Sequence, residues 1–226
     1  MGAPLSDAIR YTADDPPSRA LAAADPALGE LIARLGGVEF DPRADTDLFA
    51  MLVRGVAGQQ LSGAAAQTIF TRLSGQVGLT PEALASASDE MLLAAGLSHR
   101  KVEYVRDLAR AVLACDLNLD AIDSLSDGEV VDQLTRMRGI GPWTAHMFML
   151  FALRRPDVVA SGDLGIRQAT GRLLGLGRAA TPAEVEAAAE RWRPYRSVAM
   201  FYLYREAGMG RDAVRADGGE AGTRGQ

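Results

Sequence analysis

Apolar residues recur at helical spacing along almost the whole chain, and no long stretch alternates as a half-buried strand does. In "TDLFAMLVRGVAG" (46–58), Leu48, Leu52, Val53 and Val56 fall on one face of a 3.6-residue period. Thr80-Pro81-Glu82, Ser126-Asp127-Gly128-Glu129 and Thr181-Pro182-Ala183-Glu184 read as helix starts. The last two are capping boxes, in which the hydroxyl and the Glu carboxylate each satisfy a backbone donor of the other. Helices are expected over 18–35, 46–58, 63–73, 81–95, 99–115, 127–137, 142–153, 164–174, 182–193 and 195–207. "DVVAS" (157–161) is the one strand candidate and is too short to build a sheet. Such a chain is all-α, its helices burying apolar stripes on one another across short turns. The polar, glycine-rich end, 211–226, is expected to be a disordered tail.

At 226 residues there is room for one large domain or two small lobes. No apolar run reaches the roughly 20 residues that span a bilayer. The first residues lack the basic and apolar regions of a signal peptide, and Gly2 with Ser6 matches a myristoylation pattern only by chance. The reading is a cytoplasmic protein that does not engage membranes. A lone cysteine, Cys115, excludes an internal disulfide and any four-Cys cluster, and reads as an inert core thiol. The net charge of −5 is uneven: residues 136–205 hold eleven arginines against five acids. A local basic region can bind a polyanion in an acidic chain, although arginines also line ordinary solvated helix faces. Lys101 is the only lysine.

The segment after helix 127–137 is "RGIGPW" (138–143). Gly139 and Gly141 permit backbone angles that let the chain reverse in few residues, and Pro142 suits a first helical turn. The turn aims backbone N–H groups outward at a helix N-terminus, which is an anion site. It would grip a DNA phosphate without reading sequence. Gly-x-Gly alone equally describes a plain αα-hairpin.

The longer stretch "LTRMRGIGPWTA" (134–145) resembles the helix-hairpin-helix element of DNA-repair glycosylases. Three further stretches resemble that family's segments, in its order. "VRGVAGQQLSGAAA" (53–66) is similar to the helix end and loop that wedge into DNA when a base is flipped, and gives that role to Gln60, with Leu61 beside it. The same residues also read as a plain capped turn with Ser62 as N-cap and Leu61 in the core. "GLSHRKVEYVRDLA" (96–109) resembles the family's Gly-x-Ser-x-x-Lys helix start, where Ser98 caps and Lys101 is an exposed first-turn residue or a phosphate contact. "PDVVASGDLGIRQATG" (156–171) resembles the segment of the catalytic aspartate, which falls on Asp163. Asp163 is also an N-cap candidate, a role that fixes a carboxylate and keeps it ionised. The closing "ERWRPYRSVAMFYLYREAG" (190–208) is similar to the final helix of the bacterial 3-methyladenine DNA glycosylase II family.

This resemblance covers roughly residues 45–208. It implies a two-lobed helical core over 1–210 with the active-site cleft between lobes. The N-terminal segment and C-terminal lobe would pack around a central lobe of about 58–155 that ends in the hairpin 135–146. Longer members begin with a β-rich domain, for which this length leaves no room. Phosphate binding falls to Gly139, Ile140, Gly141 and Thr144. The carbonyls of Thr135, Met137 and Ile140 would hold a structural Na+ or K+. Trp143 and Tyr204 would line the base pocket, with His146 and Met147 further in; Trp143 also reads as a core anchor of the hairpin.

The expected chemistry is hydrolysis of the N-glycosidic bond of alkylated purines, of the 3-methyladenine and 7-methylguanine type, in a monomer acting on duplex DNA by base flipping. A carboxylate stabilises the oxocarbenium-like charge that develops on the sugar. Electron-rich aromatic faces attract a cationic base. Relatives that also nick DNA use a lysine amine directly after the Gly-x-Gly-x stretch, where this chain has Trp143, so no lyase step is expected. Nor is any required cofactor or iron–sulfur cluster. The alternatives are a non-catalytic helix-hairpin-helix DNA-binding module and a mismatch-type glycosylase of the same fold.

Overall fold

The computed structural model describes residues 8–40 and 47–208. In chain order the elements are β1 (Ile9–Thr12), α1 (Pro16–Ala24), α2 (Pro26–Leu35) and β2 (Gly37–Phe40), then α3 (Leu48–Gly58) and α4 (Gly63–Gln76). They continue with α5 (Pro81–Ser86), α6 (Asp89–Ala94), α7 (His99–Leu113), a 3-10 turn (Ile122–Ser124), α8 (Asp127–Thr135) and α9 (Pro142–Phe151). The last are α10 (Leu164–Leu173), α11 (Pro182–Ala189), a second 3-10 turn (Glu190–Trp192) and α12 (Arg196–Glu206). The fold is helical, as expected, apart from one two-stranded antiparallel ribbon that pairs Ile9 with Phe40 and Thr12 with Gly37.

That ribbon corrects the strand expectation. Its strands are four residues each, too short for a period to show, while 157–161 is irregular. Two expected helices are each a pair. Asp25, ahead of Pro26, is extended (φ −142°, ψ 102°) and caps α2 through Ala27 and Leu28 N–H, so 18–35 divides there. Ser88 caps α6 through Met91 N–H, so 81–95 divides there. Cys115 is exposed at φ +60° just beyond α7, not a core thiol. The expected tail 211–226 and the Gly2/Ser6 pattern lie outside the described residues.

The chain forms two compact units, and the described residues of the first are 47–158. In it α3 packs on α4, α7 and α9, and α7 packs on α5 and α6. Six of its helices, α3 to α8, open on a Ser, Thr or Asp whose side chain accepts a first-turn N–H. Helix α9 opens on Gly141 and has no side-chain cap. The Arg155 guanidinium closes the unit's end by donating to the carbonyls of Ile122, Asp123 and Leu125.

The second unit comprises 8–40 and 159–208. Helix α12 runs through its centre, buried at every position from Ser197 to Tyr204, as a helix enclosed on all sides must be. It packs on α1, α2, α10 and β2. The polar groups it draws inward are paired: Tyr202 Oη meets Ser18 Oγ at 3.0 Å. Nearby, the Trp192 indole N–H donates to Asp25 Oδ2 at 2.9 Å, so the residue that caps α2 also satisfies a fully buried tryptophan.

Candidate functional site

The residues singled out by sequence fall into two groups, one in each unit. In the first unit, α8 ends at Thr135 and the chain turns through bonds from Met137 N–H to Leu134 O (3.1 Å) and from Ile140 N–H to Met137 O (3.0 Å). Ile140 is 4% exposed and anchors the turn. Gly139 takes φ +84° and lies against the Tyr104 ring, leaving no space for a Cβ. Gly141 differs: its φ of −97° and ψ of 175° are open to any residue, and a Cβ there would meet nothing within 4 Å. Its missing side chain leaves open the approach to the N-terminus of α9. That N-terminus presents the N–H groups of Trp143 and Thr144 without a side-chain cap. Thr144 itself is 4% exposed and its hydroxyl accepts from Gln59, while its backbone N–H belongs to the first turn of α9.

The turn between α3 and α4 is built as tightly. Gln60 sits at φ +61°, unusual for a residue with a side chain. Leu61 is 41% exposed, which excludes the core placement that a plain capped turn predicts for it, although Ser62 does cap α4 through Ala65 N–H. Two neighbours hold this turn. The Gln59 side-chain amide donates to Gly139 O at 2.7 Å and Thr144 Oγ1 at 3.2 Å, joining the turn to the hairpin. The Lys101 ammonium donates to the carbonyls of Ala57 and Gln59, both at 2.7 Å. Lys101 is therefore tied back to the end of α3 rather than a free first-turn residue, and burial pushes its pKa down. An open hollow of about 730 Å³ lies here, lined by Gln59, Gln60, Lys101, Tyr104, Gly139 and Trp143 among others. Trp143 is 44% exposed, which does not suit a core anchor, and His146 and Met147 behind it are half-buried.

In the second unit Asp163 is the N-cap of α10. Its Oδ1 accepts from Ile166 N–H at 3.0 Å, and its own N–H donates to Ala160 O at 3.0 Å. The turn before it is held by Ser161, buried, whose hydroxyl donates to Glu186 Oε1 of α11 at 2.8 Å. Gly165 faces the carboxylate, where even a Cβ would come within 3.2 Å of Oδ1. Tyr204 is wholly buried on α12, and its phenol is pushed well above its usual range by that burial first and by the charge of Asp163 second. Tyr204 and Asp163 are thus electrostatic neighbours within one unit.

The arginine excess over 136–205 does not stand as bare charge. At least seven of the eleven reach a carboxylate within 3.7 Å. Arg138, next to the hairpin, pairs with both Glu103 and Asp107 at 2.9 Å. Sequence reasoning missed Gln59, Tyr104, Ser161 and Glu186. It also missed the role of Lys101, for which the one signal was its being the sole lysine. For the cation expectation, the Met137 carbonyl accepts one hydrogen bond and keeps a second lone pair. Among the described residues no cluster of three His, Cys, Asp or Glu side chains could hold a metal.

Residues 53–194 match the family described as HhH-GPD superfamily base excision DNA repair protein. The chain is 34% identical over 160 residues to DNA-3-methyladenine glycosylase 1 of Schizosaccharomyces pombe, covering 68% of this chain and 70% of that one. Among solved structures, a DNA-3-methyladenine glycosidase from Bacillus halodurans superposes with a TM-score of 0.80 at 34% identity, over 89% of this chain and 93% of the other. A Schizosaccharomyces pombe 3-methyladenine DNA glycosylase in complex with abasic DNA superposes with a TM-score of 0.76 at 28% identity, over 84% of this chain and 96% of the other.

Proposed function

We infer that this chain, which belongs to the HhH-GPD superfamily of base excision DNA repair proteins, is a DNA-3-methyladenine glycosylase that removes alkylated purines from duplex DNA. The observation that carries the reading is Asp163. The motif of the catalytic aspartate falls on a carboxylate fixed at the N-terminus of α10, with Gly165 close beside it.

A flipped nucleotide loses its base as positive charge grows on the sugar, and a fixed carboxylate facing that charge lowers the barrier by roughly several kcal/mol. Asp163 takes this role and orients the attacking water. Water adds to the sugar C1′ and gives up a proton to the Asp163 carboxylate, the C–N bond breaks, and the base leaves with the glycosidic electron pair. A purine methylated on a ring nitrogen already carries positive charge and leaves neutral, so no strong acid is needed. Trp143, 44% exposed, is the aromatic side chain that would attract a cationic base. His146 and Met147 stand one turn further along α9, and the family resemblance gives Tyr204, in the second unit, to the base pocket as well.

Gln60 and Leu61 fill the vacated stack, and the uncapped start of α9, with Gly139, Ile140 and Gly141, grips a phosphate through backbone N–H groups. The carbonyls of Thr135, Met137 and Ile140 would hold a Na+ or K+ that stiffens the hairpin. The sole lysine is committed to two carbonyls and Trp143 stands at the position of the Schiff-base amine, so the product is an intact strand with an abasic site. Its work is done as a monomer, in the compartment that holds the DNA. No helix among the described residues is long and apolar enough to cross a membrane.

The test is release of methylated bases from alkylated duplex DNA by the wild type and Asp163→Asn. Free 3-methyladenine or 7-methylguanine that needs Asp163, with strand breaks only after alkali, is the expected result. Equal duplex binding by both proteins with no base released would make the hairpin a clamp and sink the catalytic assignment.

A further inference from the structure

The C-terminal end of α3 has an unusual account of its backbone acceptors. A helix end leaves its last carbonyls without intrahelical partners. Here Val56 O takes Gln59 N–H at 3.4 Å and Gly58 O takes Leu61 N–H at 3.2 Å. The two between and after them, Ala57 O and Gln59 O, both take the Lys101 ammonium. A cation here also meets the negative end of the helix dipole. The lysine arrives from a fixed base, since Ser98 caps α7 by accepting from the Lys101 N–H. A compact ammonium with three donors suits two converging carbonyls, whereas a planar guanidinium fork is shaped for other partners.

These carbonyls directly precede the residue with the strained backbone. Gln60 at φ +61° costs on the order of 1 kcal/mol and persists only where its surroundings over-determine it. Lys101 holds the chain just before it, and the Gln59 side chain ties the same turn to Gly139 of the hairpin.

We propose that Lys101 is the positioning residue of the DNA wedge: its ammonium presets the left-handed turn that presents Gln60 and Leu61, and Gln59 couples that turn to the phosphate-gripping hairpin. The inference rests on the wedge role given to Gln60 above. The ordering cost of the turn is met on folding rather than on binding, so the wedge enters the helix without rearranging. Lys101 touches neither base nor sugar. Its effect is confined to substrates whose base must first be separated from a partner.

The experiment uses the full chain and two readouts. One is the fluorescence of 2-aminopurine, which rises on unstacking, placed opposite an abasic-site analogue in duplex DNA. The other is release of 7-methylguanine from a duplex in which the lesion is paired, and from one in which it faces an abasic-site analogue and has no pairing to break. Lys101→Met should lower paired release and the fluorescence rise by about tenfold or more, and unpaired release by less than about threefold. Gln60→Ala should show the same pattern, and the double variant should add little. Lys101→Arg keeps the charge without the geometry and should fall near Lys101→Met. Should Lys101→Met fail to fold, Lys101→Cys in a Cys115→Ser background, converted to the lysine analogue by bromoethylamine, should regain both readouts.

Equal loss on paired and unpaired lesions, or no loss on either, overturns the inference while the glycosylase reading stands. A wild type that unstacks DNA through Lys101 but releases no base keeps the wedge and removes the glycosylase. A wild type that does neither removes both.

Discussion

Gly139 lies so close against the Tyr104 ring that the hairpin can turn there only without a side chain, and its φ of +84° asks for the same thing. Two residues on, Gly141 is extended and has open space where its Cβ would be. The two glycines of one motif are therefore kept for different reasons. Gly139→Ala should destabilise the protein by about 1–3 kcal/mol, from the left-handed backbone and the displaced ring together. Gly141→Ala should change urea stability by less than about 0.5 kcal/mol yet weaken duplex binding, because its Cβ enters the approach to the α9 N–H groups. Equal destabilisation by both would refute the distinction.

Asp163 caps a helix and also carries the proposed chemistry, and substitution can separate the two. Asn is as good an N-cap as Asp, so Asp163→Asn should keep the wild-type thermal midpoint while base release falls by about a hundredfold or more. Asp163→Ala should lose the same activity and also about 1 kcal/mol of stability with the Ile166 bond. A clear drop in midpoint for Asp163→Asn would show that the charge itself holds α10.

The two tryptophans make a paired test. Trp192 is wholly buried with its indole N–H on Asp25, and Trp192→Ala should cost about 3–5 kcal/mol. Trp143, 44% exposed, should cost less than about 1 kcal/mol when changed to alanine but lower excision of cationic methylated purines by about tenfold. The reverse order of stabilities in urea unfolding would return Trp143 to the core.

Tyr204 gives a signed dependence on pH. Its phenol is raised well above 10.0 by burial and by Asp163, whereas in the unfolded chain it ionises at its ordinary value. The unfolded chain therefore releases the proton first, and stability present below pH 10.0 is lost as pH rises through that value. Thermal midpoints taken from about pH 8 to about pH 11 should fall, and Tyr204→Phe should flatten the fall. Asp163→Asn, which removes the second cause but not the first, should flatten it in part.

What the sequence disclosed follows the range of the forces involved. The caps at Ser126, Thr181 and Asp163 are local, three residues from their partners, and were legible as written. The ribbon was not, because Ile9 meets Phe40 only once two intervening helices bring them together. The division at Asp25 could have been read from Pro26, whose ring disfavours helix in the residue before it. Gln59 and Gln60 are identical letters side by side. Only the folded turn shows that one latches onto the hairpin and the other stands at the left-handed position. Lys101 looked like any exposed first-turn lysine, since the carbonyls that hold it lie 44 and 42 residues earlier in the chain.

The second unit is assembled from both ends of the described chain. Its inner bonds reach far: Ser18 to Tyr202 spans 184 residues and Asp25 to Trp192 spans 167. A ribosome delivers α1, α2 and the ribbon early, but the helix they pack on, α12, comes last. The described residues of the first unit, 47–158, are contiguous and can close while synthesis continues, whereas the early segment must wait with its apolar face uncovered. Vectorial synthesis thus makes the hairpin-bearing unit ready first and leaves the aspartate-bearing unit for the final moments, so a nascent chain stalled before α12 could hold a formed hairpin and no finished seat for Asp163.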